Sequence, residues 1–88
     1  MEKRAAVRGG STPEKVFASV LRELRKEHGL SQEGLGYESG YHRTYISMLE
    51  RGMMNPSLRT ILSLAKALHT PASEVVGRVE ELLNPARQ

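Results

Sequence analysis

The chain has no cysteine. That excludes a disulfide staple, a thiolate nucleophile and a cysteine-based zinc site, and it is compatible with a reducing compartment. There is no tryptophan, and only three tyrosines and one phenylalanine are present. So few aromatics argue against a single-strand nucleic-acid binder built on stacking platforms. No apolar run approaches the roughly 20 residues that span a bilayer. The opening MEKRAAVRGGSTPEK is basic but has no apolar segment, so it does not read as a secretory signal. No β-branched run alternates with polar residues, which disfavours a sheet. The three histidines, His28, His42 and His69, are far apart, with no His-x-x-x-His pair. No phosphate-binding loop, nucleophile elbow or metal-ligand cluster is found. Neither catalysis nor a cofactor or resident metal is expected.

What remains is a short, basic, helical chain. Its 88 residues leave room for one small domain, and a bundle of four or five helices is about the most it can build. The net charge is +3. That fits a polyanionic partner, but many inert small proteins are equally basic, so charge alone says little.

Residues 1–11 hold little to bury and are expected to form a flexible basic arm. It is either a terminus without a role or an arm whose Lys3, Arg4 and Arg8 reach DNA phosphates or a minor groove. The domain proper should run over 12–84, with 85–88 a frayed tail. Thr12-Pro13-Glu14 is a helix start: a capping hydroxyl, a proline at the first helical position, then an acid at the positive dipole end. Val16, Phe17, Val20, Leu21 and Leu24 recur at helical spacing, and Gly29 ends the helix. Ser57 caps a fourth helix with Leu58, Ile61, Leu62, Ala65 and Leu68 as its expected buried stripe. Thr70-Pro71 opens a fifth, over about 72–83. Its apolar positions Val75, Val79, Leu82 and Leu83 either lid the core or form a dimer seam, and both are compatible.

Between these lies LSQEGLGYESGYHRTYISMLERG, from Leu30 to Gly52. Ser31 caps a short helix over 32–39, with Leu35 and Gly36 facing inward. Gly40 turns the corner. A third helix, over 42–51, turns Ile46 and Leu49 inward and presents Arg43, Thr44, Ser47, Met48 and Arg51 outward. Gly34 and Gly36 each cost up to ~1 kcal/mol of helix propensity. Gly36 has a packing reason on the inner face; Gly34 has no evident one. Two short helices and a tight turn, the second rich in hydrogen-bonding side chains, have the shape of a helix-turn-helix DNA reader.

From about Val20 to Val76 the chain resembles the Cro/lambda-repressor-like helix-turn-helix family, also called the XRE family. The resemblance rests on LRELRKEHGLSQEGLG, then SGYHRTYISMLERG, then NPSLRTILSLAKAL, in that order. The HRTYIS and ERG wording is also similar to the controller proteins of restriction-modification systems. The resemblance implies an all-α, five-helix fold and a sequence-specific transcriptional regulator of the bacterial or phage cytoplasm. It would bind double-stranded DNA as a homodimer on a palindromic operator.

By the same resemblance, Arg43, Thr44, Ser47, Met48 and His42 fall where the family reads bases. Gln32 falls where a side chain braces docking on a phosphate. Arg51, Asn55, Ser57 and Arg59 fall where phosphate contacts are usual, and the Tyr45 hydroxyl could reach a phosphate while its ring packs inward. Arg25 and Glu50 fall where the family holds an ion pair between its first and third helices. Gly36 stands where alanine is usual, which reads as tolerable, and Tyr41 where a small aliphatic is usual. Arg43 is the strongest base-reading candidate, because a guanidinium can pair bidentately with guanine O6 and N7. A phosphate contact or a solvated side chain is its blander alternative. The competing reading of the whole chain is an antitoxin or adaptor whose main partner is another protein.

Overall fold

Thr12 opens the first helix as its chemistry dictates. Its Oγ1 accepts the Lys15 N–H at 3.1 Å, and Pro13 fills the first turn, where no N–H is needed. This helix, α1 (Pro13–Glu27), runs to a cap at His28 and a left-handed Gly29. Ser31 accepts the Gly34 N–H at 2.9 Å and begins α2 (Gln32–Ser39). Gly40, at φ +86°, ends it. Next, α3 (Arg43–Glu50) starts one residue later than the sequence suggests, because His42 is its cap rather than its first turn: Nδ1 accepts the Thr44 N–H at 3.0 Å. Ser57 caps α4 (Leu58–Ala67), and Pro71 precedes α5 (Ala72–Leu83). Thr70 does not open α5. Its hydroxyl donates to the Leu68 carbonyl at 3.0 Å and so closes α4 instead. These coordinates are a computed structural model that describes residues 11–84. The proposed arm residues Lys3, Arg4 and Arg8 and the tail 85–88 lie outside the described residues.

The apolar stripes meet in one core. Phe17, Val20, Leu21 and Leu24 of α1 pack with Leu35, Ile46, Leu49, Leu64, Ala65, Leu68 and Val75. The helices pair α1 with α3 and α5, α2 with α3 and α4, and α4 with α5. Two expected core members are not in it: Leu58 is 71% exposed and Leu62 52%. The buried face of α4 runs through Thr60, Leu64, Ala65 and Leu68, with Ile61 half-buried beside it. Leu58 and Leu62, four apart, lie together on a flank that no helix among the described residues covers. Val16 is only half-buried for the same kind of reason, at the edge of the α1 stripe.

Gly77 lies within α5, and a methyl group there would meet nothing within 4 Å. Gly77→Ala should therefore stabilise the domain by about 0.5–1 kcal/mol through reduced unfolded-chain entropy. A raised urea midpoint at unchanged slope is the expected result.

Candidate nucleic-acid interface

The reading surface begins with what α3 buries. Ile46 and Leu49 are wholly buried. Helical geometry then fixes the opposite face: Arg43 and Ser47 form one row and Thr44 and Met48 the next. Arg43 and Thr44 are exposed, Ser47 and Met48 half-buried. Gln32, at the first position of α2, joins Arg43, Thr44 and Ser47 around a shallow open cleft of about 190 Å³. The short turn therefore places one α2 residue beside three of the α3 set. Arg51, Asn55 and Arg59 are all exposed beyond α3 and at the start of α4.

The angle of α3 is held from behind by an ion pair. Arg25 Nε donates to Glu50 Oε2 at 2.6 Å and Nη2 to Oε1 at 2.9 Å, a bidentate arrangement. The third arm, Nη1, donates to the Leu30 carbonyl at 2.8 Å. Only 11% of the Arg25 side chain and 3% of that of Glu50 reach solvent. The Glu50 hydrogen bonds hold the Arg25 guanidinium above its ordinary pKa, against the opposing pull of burial, with direct charge attraction adding to them. Gln32 enters the same network: its Nε2 donates to Glu50 Oε1 at 3.1 Å. The other Nε2 hydrogen remains free to donate to a phosphate. Arg25 of α1 and the first residue of α2 thus share the carboxylate of the last residue of α3.

A second polar centre was not evident in the sequence. Thr60 is 5% exposed. Its Oγ1 lies 3.1 Å from the Tyr41 hydroxyl, 3.5 Å from that of Tyr45, and accepts from Ser57 Oγ at 3.1 Å. A threonine hydroxyl has one hydrogen and two lone pairs. It can accept from Ser57 and one tyrosine and donate to the other, so every group is satisfied. The two rings pack 5.1 Å apart at a 43° tilt, a geometry aromatic pairs favour. Tyr41 thereby fills its apolar position with a ring and finds a partner for its hydroxyl. The signal was present: Thr60 follows a helix cap by three, and Tyr41 and Tyr45 are four apart.

This centre revises two expectations, for Ser57 and Tyr45, and the α3 cap revises a third, for His42. Ser57 Oγ is engaged twice by Thr60, through its N–H at 3.1 Å and its hydroxyl, so a phosphate would meet the α4 backbone there rather than that side chain. The Tyr45 hydroxyl turns toward Thr60. The His42 ring is partly spent on its cap, leaving only Nε2 for DNA.

The expected dimer seam also changes. Val75 is 3% exposed and belongs to the core, so it cannot meet a partner. Val79 packs partly against that core, and Leu83 is half-buried. Leu82, at 58%, is exposed, together with Val76, Leu58 and Leu62. Exposed apolar side chains therefore lie on both α4 and α5 rather than on α5 alone. Among the described residues, no helix is long and apolar enough to cross a membrane.

A family model described as helix-turn-helix matches residues 21–75, which contain the α2–α3 turn and the Arg25–Glu50 pair. The control protein C.SmaI of Serratia marcescens is 43% identical over 63 residues, 72% of this chain and 75% of that protein. The restriction-modification controller protein C.AhdI from Aeromonas hydrophila is 48% identical, with a TM-score of 0.68 over 69% of this chain and 92% of its own. The controller protein C.Esp1396I was solved as a tetramer in complex with its natural 35 base-pair operator. It is 27% identical, with a TM-score of 0.75 over 83% of this chain and 96% of that one. On this fold, with this turn and these relatives, the chain belongs to the Cro/lambda-repressor-like, or XRE, family of helix-turn-helix proteins and is similar to its restriction-modification controllers.

Proposed function

We propose that this protein is a sequence-specific, double-stranded DNA-binding transcriptional regulator that acts as a dimer on a palindromic operator. The observation that carries this reading is the outer face of α3. Its buried residues and the Glu50 anchor leave Arg43, Thr44, Ser47 and Met48 facing out, with Gln32 beside them. A controller of this kind bound to its operator, C.Esp1396I, supports the function by similarity.

In this reading α3 enters the major groove. Arg43 reads guanine through its planar fork, Thr44 and Ser47 exchange hydrogen bonds with base edges, and Met48 presses on a thymine methyl. His42 contributes through its free Nε2. Gln32 uses its remaining amide hydrogen on a phosphate, and Arg51, Asn55 and Arg59 add backbone contacts. Backbone contacts set affinity and its salt dependence but carry no sequence information. The exposed apolar surface of α4 and α5, with Leu82, Leu83 and Val79 at its α5 side, is the dimer seam. It places two α3 helices about one DNA turn apart, roughly 34 Å. A bacterial or phage cytoplasm is the setting this function implies.

The division of labour is testable with two variants. Arg43→Ala should weaken operator binding by about 1–3 kcal/mol and relax one base position. Arg59→Ala should weaken operator and random duplex alike and make the salt dependence shallower. Titrations of both variants on both duplexes at two salt concentrations measure this. Equal losses on operator and random DNA for Arg43→Ala would contradict base reading.

A further inference from the structure

The fold unites two histidines that the sequence keeps apart. His28 caps the C-terminus of α1, and His69 stands just past the C-cap of α4. Their rings lie 6.2 Å apart, centre to centre, at a tilt of 44°. Both residues are exposed, so neither ring is held there by the core.

The backbone at His69 is unusual. It has φ +52°, the one positive φ of a non-glycine residue among the described residues. At the three other left-handed positions, which end α1, α2 and α3, the chain uses Gly29, Gly40 and Gly52. A left-handed backbone is unfavourable for a residue with a Cβ, which crowds the following carbonyl oxygen. The α4 end closes as the α1 end does, with Thr70 N–H bonding to the Ala65 carbonyl and Leu30 N–H to the Arg25 carbonyl. Glycine would serve this turn better than histidine. Histidine adopts this backbone more often than most side-chain-bearing residues do, so it is the pairing of its ring with a matching one that points to a use for the side chain.

We propose that His28 and His69 form a two-ligand site for a divalent first-row transition ion such as Zn²⁺, with water completing its coordination. Imidazole nitrogen suits zinc, copper and nickel and not the oxygen-seeking calcium or magnesium. With Zn–N bonds of about 2.0–2.1 Å, two rings on a tetrahedral ion sit roughly 5–5.5 Å apart between centres. The rings stand 6.2 Å apart, so the two side chains must turn to bring them about 1 Å closer, which their exposure allows. Each ring also sits at a helix C-terminus, where the dipole favours a cation. No group of three or more potential ligands is found among the described residues, so the site is open and exchangeable. Its effect is mechanical. The ion ties the end of α1 to the end of α4, two helices that are not a principal pairing in the fold.

Titration of the full, untagged chain with zinc chloride at neutral pH, by calorimetry and by thermal unfolding, tests this. One equivalent should bind and raise the Tm. His28→Gln and His69→Gln should each weaken binding at least about tenfold, while His42→Gln keeps it. His69→Gly separates the metal role from a structural one: it should raise the Tm of the metal-free chain yet abolish the zinc response. Unchanged zinc affinity in His28→Gln or His69→Gln, a zinc response that survives in His69→Gly, or no saturable binding to the parent chain would each overturn the proposal.

Discussion

Glu50→Ala is expected to lower the stability of the domain by about 3–5 kcal/mol. The reason is what it leaves behind. The Arg25 guanidinium, with only 11% of its side chain exposed, would lose both carboxylate contacts and keep only the Leu30 carbonyl. Its charge cannot be shed, so the burial cost stands uncompensated. Gln32 would lose its partner as well. Small domains have about 5–15 kcal/mol in all, so most of the margin goes. Denaturant unfolding of the single variants and of Arg25→Met/Glu50→Leu measures this. The double variant should recover much of the loss, since apolar replacement of a whole buried pair is often close to neutral. A single-variant loss under ~1 kcal/mol, the range of surface pairs, would show that the pair is not an anchor.

Gly36→Ala is the second large effect, and its sign runs against propensity. Alanine is favoured in a helix by up to ~1 kcal/mol over glycine. Here a Cβ would stand 2.4 Å from the Tyr41 carbonyl oxygen and 3.3 Å from the Arg43 nitrogen. Both are backbone atoms, so relief requires moving α3 relative to α2. That movement would also break the turn, in which the Gly40 and Tyr41 N–H groups both bond to the Gly36 carbonyl at 2.8 and 2.9 Å. A net loss of about 1–3 kcal/mol follows, as for an overpacked core. Operator affinity should fall with it, because the reading helix would be displaced. An alanine variant of unchanged stability would mean that α2 and α3 are less closely apposed than the structure has them.

These two residues show what the sequence could carry. Helix caps, apolar periodicity and terminal glycines are local signals, and they located all five helices and most of the core. Gly36 was visible as a costly residue on an inner face, but not that Tyr41 occupies the space a methyl would take. Glycine in place of the usual alanine reads as merely tolerable in the sequence, whereas the structure leaves no room for the alanine Cβ. Leu58 and Leu62 fit the periodicity of a buried stripe, and only the placement of α1, α2 and α5 decides which flank of α4 is covered. Val75 and Leu82 share a helix and an apolar character, yet one is core and the other surface, for the same reason. Thr60 was overlooked because a buried hydroxyl is legible only with its partners, and those come from α3 and the two turns beside it. The outer face of α3 was the most legible feature, since fixing Ile46 and Leu49 inside determines it.

Selection of bound DNA from a random duplex pool, at two salt concentrations, tests most directly whether α3 reads sequence from a symmetric pair. The expected outcome is a palindromic motif with half-sites one turn apart, roughly 34 Å, retained at physiological salt and degraded at one position by Arg43→Ala. A pool that yields no motif, or binding that disappears at physiological salt, would mean that the basic surface is generic and that the function lies with a protein partner.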